Sequence, residues 1–525
     1  MIINNNNLQK APGILGILFR GFKNYPDKPV ITVENNTLDY KTMIEKGNRV
    51  ASALYDIGIR KNDKIGVICE NCIEFYIFLF AVVRLGAVFV PFDPQIGKFE
   101  IKYLFERVGI RAVLVSQEYR GLSHKDIINE LKPELHDLRK IIVNGECEEN
   151  FFTTSLQTLF NHNLNELPEI ELTPEDSNMF MCTTGSTGNP KIVDIQCKMI
   201  NYSLERNADY FSLFNNDRFL LTMPLYHAGG FGWGLSCLSA GGSLYYLKAF
   251  KPTKVLECIQ NNKITKFLST PTLLKILSDS KKVEDYDTSS LKKIYSTGEY
   301  LSDEVVNLVK EKFKVIIVNG LGMSETNVFL LWDSENDGNF PTNHFHKIPG
   351  VDIKIVDGND NVVVKGEKGF VCIKSSVMRG YFRAPDITEK VISKDGWLNS
   401  GDLAYETEEG RIVFCGRGKR VIKRGGNLVS PEEIEKFLVT HPSVEIAVAD
   451  KEEDELIGEK IIAYIQPKEN KSVSEEELRL FCKGNISSYK IPDEFYFVKE
   501  IPKTMGKLNP TVLKKLKAEN KIEFI

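Results

Sequence analysis

The sequence predicts an α/β protein: a large N-terminal domain of helix-covered sheets, residues 1–417, followed by a small α+β domain, residues 418–525. Three observations carry that prediction. Strand-like and helix-like apolar periods alternate through two long runs, from Leu38 to Ser116 and again from about Asn178 to Val318. Beyond about Pro349 the texture changes to short strands and turns, which marks a β-rich subdomain at about 349–417. After the polar, Gly-containing stretch Gly416–Arg420, two helix starts carry their own capping residues.

Tyr40 to Ile57 has apolar residues at helical spacing and stops at Gly58, which suits the left-handed residue after a helix. Lys64–Cys69 reads as a buried strand, Asn71–Leu85 as a helix and Ala87–Pro91 as the next strand. Ile101–Val108 and Ala112–Ser116 repeat the unit. Such alternation implies a parallel sheet covered by helices. The apolar stretch Ile73–Phe92 has the length of a membrane span, but Glu74 and Arg84 interrupt it. Leu85-Gly86 then divides it into a helix-sized and a strand-sized piece. We read two core elements there and no membrane span.

The second run supplies a strand at Ile264–Leu268, a helix from Pro271, a strand at Lys293–Ser296, a helix from Ser302 and a strand at Val315–Val318. Val351–Val356, Gly369–Ile373 and Arg411–Cys415 are the short strands of the β-rich part. Ser430-Pro-Glu-Glu433 predicts a helix with Pro at its first position and a capping box, and Ser474-Glu-Glu-Glu477 repeats the device.

At 525 residues the chain is too long for one ordinary core, and about two to four domains are expected. Its 42% hydrophobic and 26% charged residues are those of a soluble globular protein. A net charge of −4, with both signs interspersed, argues against nucleic-acid binding but leaves room for a local cationic pocket. The start, Met1-Ile-Ile-Asn-Asn-Asn-Asn7, lacks the basic and apolar parts of a signal peptide. Ten cysteines scattered singly suit a reducing cytoplasm. Cys69 and Cys72 form a CxxC that no second pair completes as a zinc site, so burial is the preferred reading.

The sharpest local signal is Asn178-Met-Phe-Met-Cys-Thr-Thr-Gly-Ser-Thr-Gly-Asn-Pro-Lys191. An apolar strand runs into hydroxyl residues and glycines and ends in Pro-Lys. Glycines let backbone N–H groups turn inward around an anion, hydroxyls donate further bonds, and the lysine adds a charge. The Gly185-x-x-Gly188-x-x-Lys191 spacing differs from the Walker pattern, which disfavours a P-loop ATPase. A loop of this composition is by itself often only a connection; the strand before it and Pro-Lys after it favour phosphate binding.

Thr183 to Lys191 resembles the signature loop of the AMP-binding, adenylate-forming superfamily, which includes acyl-CoA synthetases, peptide-synthetase adenylation domains and beetle luciferases. The resemblance runs from about Leu38 to Leu508 in the family's order. It takes in Arg84-Leu-Gly-Ala-Val-Phe-Val-Pro91, Pro224-Leu-Tyr-His-Ala-Gly-Gly230, Ser296-Thr-Gly-Glu299, Gly320-Leu-Gly-Met-Ser-Glu325, Asp395-Gly-Trp-Leu-Asn-Ser-Gly-Asp402, Gly416 to Glu435 and Pro502-Lys-Thr-Met-Gly-Lys507. It implies an acyl-CoA synthetase-like fold with a mobile C-terminal cap. It also implies a ligase that uses ATP and Mg²⁺ to convert a carboxylic acid to an acyl adenylate, then transfers the acyl group to a thiol.

By that resemblance Thr183, Thr184, Gly185, Ser186, Thr187, Gly188 and Lys191 cradle the triphosphate. Gly298, Glu299, Gly320 and Leu321 are expected along the nucleotide, with Ser324 at the AMP phosphate and Glu325 holding Mg²⁺. Asp402 would accept the ribose hydroxyls, and Arg417 would contact ribose or phosphate. Lys507 would reach the α-phosphate and the reacting carboxylate. Lys419 stands at the family's hinge position, where a solvated linker charge is an equal reading. Rotation there would bring Gly425 and Gly426 to the thiol tunnel. His227 resembles a gate between the acyl pocket and that tunnel.

Three positions depart from the family pattern: Leu321 replaces an aromatic against adenine, Ile192 a glycine, and Arg420 an acid beside the hinge. Tyr226–Trp233 contains no acid to bind an α-ammonium, so an acid without an α-amine is expected. Phe231, Trp233, Ser296, Thr297 and Met323 are expected to line its pocket and to favour an aryl or short-to-medium acyl group. Lys423-Arg-Gly-Gly-Asn-Leu-Val-Ser-Pro-Glu432 resembles the segment of acyl-CoA ligases where a glycine lets the pantetheine of coenzyme A pass. A carrier protein's phosphopantetheine arm would use the same tunnel, and both acceptors stay open. A paralogue that binds without turnover is a third reading, against which Lys191, Glu325, Asp402, Arg417 and Lys507 all argue.

Overall fold

The computed structural model describes residues 8–517 apart from 97, 184–190, 376, 418–421, 425–426, 430, 455–457, 484–485, 487–489, 502, 505–506, 509–512 and 515. The chain divides into two units, residues 1–352 with 373–398 and residues 353–372 with 399–525.

The first unit holds two sheets. One runs in the order Gly380–Tyr381, Lys191–Gln196, Ser177–Thr183, Val88–Pro91, Lys64–Ile68, Ile110–Ser116, Lys140–Asn144, Thr153–Ser155. From Ser177–Thr183 onward the strands are parallel, and Lys191–Gln196 folds back antiparallel. In the other sheet Pro29–Val33, Ser243–Tyr246, Arg218–Leu221, Lys266–Ser269, Lys293–Thr297 and Ile316–Met323 lie parallel in that order. Asn327–Asp333 and His344–Lys347 continue it antiparallel.

Local chemistry sets the element ends. Asp39 caps Tyr40–Asp56 by accepting from Thr42 N at 2.6 Å. The other end closes as a Schellman motif, with Gly58 at φ 88°, its N–H on Tyr55 O and the Ile59 N–H on Leu54 O. The helix Ile73–Arg84 is buried on all sides from Phe75 to Arg84, which is why its sequence is apolar all round. Phe75 and Phe89 pack edge-on at 5.1 Å, and Phe231 stacks on Phe89 at 6.4 Å. Tyr76 and Tyr246 hydroxyls meet at 2.7 Å. Phe89 and Tyr246 come from different sheets, so this aromatic layer joins them into one core. Among the described residues no helix is long and apolar enough to cross a membrane.

In the second unit, Ile353–Val356, Gly369–Ile373, Leu398–Glu406 and Ile412–Arg417 lie side by side. A further sheet is built from Asn427–Val429, Ile422–Arg424, Gly458–Pro467 and Val444–Asp454, with Glu494–Phe497 parallel to Gly458–Pro467. The helices Pro431–Val439 and Glu475–Cys482 cover one face through Ile434, Leu438 and Leu478 on Ala447, Ile461 and Ile465. Ser474 and Glu477 form the expected capping box.

One element departs from its sequence reading. The strand read at Val315–Val318 runs further than its apolar residues: Ile316–Met323 takes in Gly320–Met323, and only Ser324–Thr326 turn. Gly322 permits this: a Cβ there would lie 2.6 Å from Asn327 O in the returning strand. Glycines carry no side chain to alternate between faces, so the strand period vanishes from the sequence where the backbone still pairs.

Candidate active site

The phosphate-loop candidates hang from a hairpin. Ser177–Thr183 and Lys191–Gln196 pair in register, ending on Thr183 opposite Lys191, and Thr183 Oγ1 donates to Lys191 O at 3.5 Å. Thr184, Gly185, Ser186, Thr187 and Gly188 lie outside the described residues, between two ends that the hairpin fixes. Ile192 is 1% exposed and packs into the sheet core with Phe180, so the side chain that replaces glycine there fills the interior.

The Lys191 ammonium stands 4.8 Å from the centroid of the Tyr381 ring. The Tyr381 hydroxyl donates to Glu325 Oε1 at 2.8 Å, and Met378 N donates to Glu325 O at 2.8 Å. Glu325 is 7% exposed in the turn after Ile316–Met323, so the predicted metal carboxylate and loop lysine meet on one phenol. Burial first, then the Glu325 charge, pushes the Tyr381 pKa well up, which keeps the hydroxyl a donor at neutral pH.

The acyl-pocket candidates come from one helix and two strand ends. His227, exposed, occupies the cap position of the helix Ala228–Ser239, beside the Tyr226 ring at 4.8 Å. Phe231 and Trp233 follow on that helix, each 3% exposed. A Cβ on Gly230 would stand 2.3 Å from Pro224 O, so this position admits no side chain. Ser296 is fully buried at the end of Lys293–Thr297, and its hydroxyl has no partner among the described residues. Thr297 Oγ1 donates to Gly320 O at 2.8 Å, tying two adjacent strand ends together. Gly298 turns at φ 88°, and exposed Glu299 accepts from Thr272 N and Oγ1 at 3.1 and 2.6 Å. Leu321 and Met323 are half-buried at the end of Ile316–Met323, as is Ser324 in the turn that follows. Ligands bind at such carboxyl ends in parallel sheets.

Two side chains here escaped the sequence reading. Tyr381 carries no charge and sits outside the glycine-rich motifs, so only Gly380-Tyr381 in the β-rich stretch marked it. Met223 Cε lies 2.7 Å from the Cβ position of Gly229 and 3.9 Å from that of Gly298, bridging the His227 and Thr297 segments. Its position just before Pro224 was the only available signal.

In the second unit Asp402 is 1% exposed on Leu398–Glu406, and its N–H bonds Ser400 Oγ at 3.0 Å. It pairs in register with Arg417, the last residue of Ile412–Arg417. The two expected ribose contacts therefore share one hairpin end. Lys507 opens Lys507–Leu508, which pairs antiparallel with Lys503–Thr504. Lys419, Gly425 and Gly426 lie outside the described residues.

Residues 18–382 match the AMP-binding enzyme family and residues 433–506 its C-terminal domain. The chain is 28% identical over 500 residues to 2,3-dihydroxybenzoate-AMP ligase of Bacillus subtilis, covering 94% of this chain and 92% of that one. It is 26% identical over 511 residues to oxalate–CoA ligase of Arabidopsis thaliana, covering 95% and 97%. ATP-bound MatB from Rhodopseudomonas palustris superposes with a TM-score of 0.84 at 22% identity, over 96% of this chain and 99% of that one. The anthranilate CoA ligase AuaEII, in complex with anthranoyl-AMP, gives 0.84 at 24% identity over 99% and 100%. The chain belongs to the AMP-binding, adenylate-forming enzymes, and the likeness to the solved structures carries the fold.

Proposed function

We infer that this enzyme activates a carboxylic acid with ATP to an acyl adenylate, releasing pyrophosphate, and passes the acyl group to the thiol of coenzyme A. The observation that supports it best is the meeting of Lys191 and Glu325 on Tyr381. A lysine there offsets triphosphate charge. Magnesium fits the donor set: one buried carboxylate with a single hydrogen-bonded oxygen, and, among the described residues, no group of three metal-ligating side chains to form a protein cage. When bound it supplies charge neutralisation at the phosphates. Asp402 and Arg417 would hold the ribose, and Lys507 the reacting centre.

The substrate reading is an acid without an α-amine, since Tyr226–Trp233 offers no carboxylate for an ammonium. Buried Phe231 and Trp233 support an aryl or short-to-medium acyl group. A carrier-protein thiol, whose phosphopantetheine arm would use the same tunnel, is the second acceptor reading. Pyrophosphate release is measured over a panel of carboxylic acids, with coenzyme A present and absent. Acid-dependent release and an acyl-CoA product are expected. No release with any acid would leave only a binding protein.

Residues 418–525 are proposed to act as a cap that turns at Lys419 between the two half-reactions. Lys419→Pro fixes φ near −65° and is expected to slow one half-reaction selectively in single-turnover assays. Unchanged rates in both would remove the hinge.

A further inference from the structure

We propose that Tyr381 is a positioning residue: its hydroxyl fixes the Glu325 carboxylate for a divalent cation while its ring face seats the Lys191 ammonium. This rests on the reading of Glu325 as the metal carboxylate. Glu325 belongs to a turn of one sheet, whereas Tyr381 lies on the two-residue strand added to the other. Their hydrogen bond therefore ties the two sheets at the point where both deliver charge.

The segment 378–381 is itself held firmly. Tyr381 pairs in register with Val193 and Gly380 with Asp194, on the strand that Lys191 begins. Arg379 donates through its backbone to Asp194 O at 3.1 Å, and through its guanidinium to Asp194 Oδ2 at 3.1 Å and Ser177 Oγ at 3.2 Å. Tyr381 N donates to Thr388 Oγ1 at 2.9 Å, and Met378 N holds the Glu325 carbonyl. The phenol thus projects from a clamped strand, and the carboxylate it grips loses its freedom to rotate. Glu325 Oε1 is taken, and among the described residues Oε2 is the oxygen left for a cation. Loss of a partner that orients a metal ligand in this way typically costs about 10–100-fold in metal affinity.

Tyr381→Phe keeps the ring and removes the hydroxyl. Binding of Mn²⁺ with a non-hydrolysable ATP analogue to the full chain, followed by electron paramagnetic resonance, is expected to weaken about 10-fold or more. The Mg²⁺ concentration for half-maximal pyrophosphate release should rise alongside, with the KM for the acid unchanged. Circular dichroism and a melting curve establish that the variant folds. Tyr381→Leu, which also removes the ring, is expected to weaken metal-free nucleotide binding, where Tyr381→Phe stays at the wild-type level. Glu325→Gln is titrated in parallel. If it weakens Mn²⁺ while Tyr381→Phe matches wild type, Tyr381 has no positioning role and Glu325 keeps its own. If Glu325→Gln also matches wild type, the metal reading itself falls.

Discussion

Lys507→Ala is expected to lower acyl-adenylate formation by at least about 100-fold, while thioester formation from supplied acyl adenylate stays near the wild-type rate. An ammonium set where charge develops, with water excluded, is typically worth about 2.7–4 kcal/mol of barrier, the range measured for single oxyanion donors. The asymmetry is the informative part. If the C-terminal region turns between half-reactions, Lys507 serves the first and is absent from the second. The neighbouring lysines give the control. Lys517 is engaged by Glu452 at 3.0 Å, and Lys514 donates to Lys451 O at 2.9 Å, so both serve the domain itself. Lys514→Ala should leave both half-reactions unchanged. Rapid-quench measurement of each step separates the cases, and an equal loss in both for Lys507→Ala would return it to the ordinary lysines of a basic tail.

What the sequence made legible follows the reach of each signal. Caps are local, so the Gly58 helix end and the Ser474 box could be placed to the residue. The buried helix Ile73–Arg84 was recognisable because two charges and Leu85-Gly86 broke a long apolar run. Signals that depend on a distant partner were hidden. Gly230 is glycine because the Pro224 carbonyl passes too close for a Cβ, and nothing in the order of residues says that helix and turn will meet there. Gly322 likewise answers to Asn327 O across a hairpin. Tyr381 is the clearest instance. Its role depends on Lys191 and Glu325, which are 190 and 56 positions away along the chain, and an uncharged phenol has no pattern that could have announced it.

Trp233 shows how a pocket candidate can also be a structural anchor. Its indole stacks on Phe211 at 3.9 Å, packs against Tyr295 at 4.9 Å, and meets Phe219 edge-on at 6.4 Å. Trp233→Ala empties that space and is expected to cost about 3–5 kcal/mol of unfolding free energy, measured by urea denaturation followed with far-UV circular dichroism. The indole N–H has no acceptor among the described residues, so part of what burial of the ring contributes is offset by an unmet donor. Trp233→Phe keeps an aromatic face and discards that donor, and should lose less than half as much stability. Activity adds a second reading of the same variants. Cζ2 of the indole lies 3.4 Å from the Cβ position of Gly320, whose carbonyl receives the Thr297 hydroxyl. A void behind Gly320 lets both strand ends relax, and the acid KM should rise in Trp233→Phe even though the fold survives. An alanine variant that loses under about 1 kcal/mol, within the range of an ordinary substitution, would mean that the indole is not wedged in this core in solution, and the pocket wall built on it would have to be drawn elsewhere.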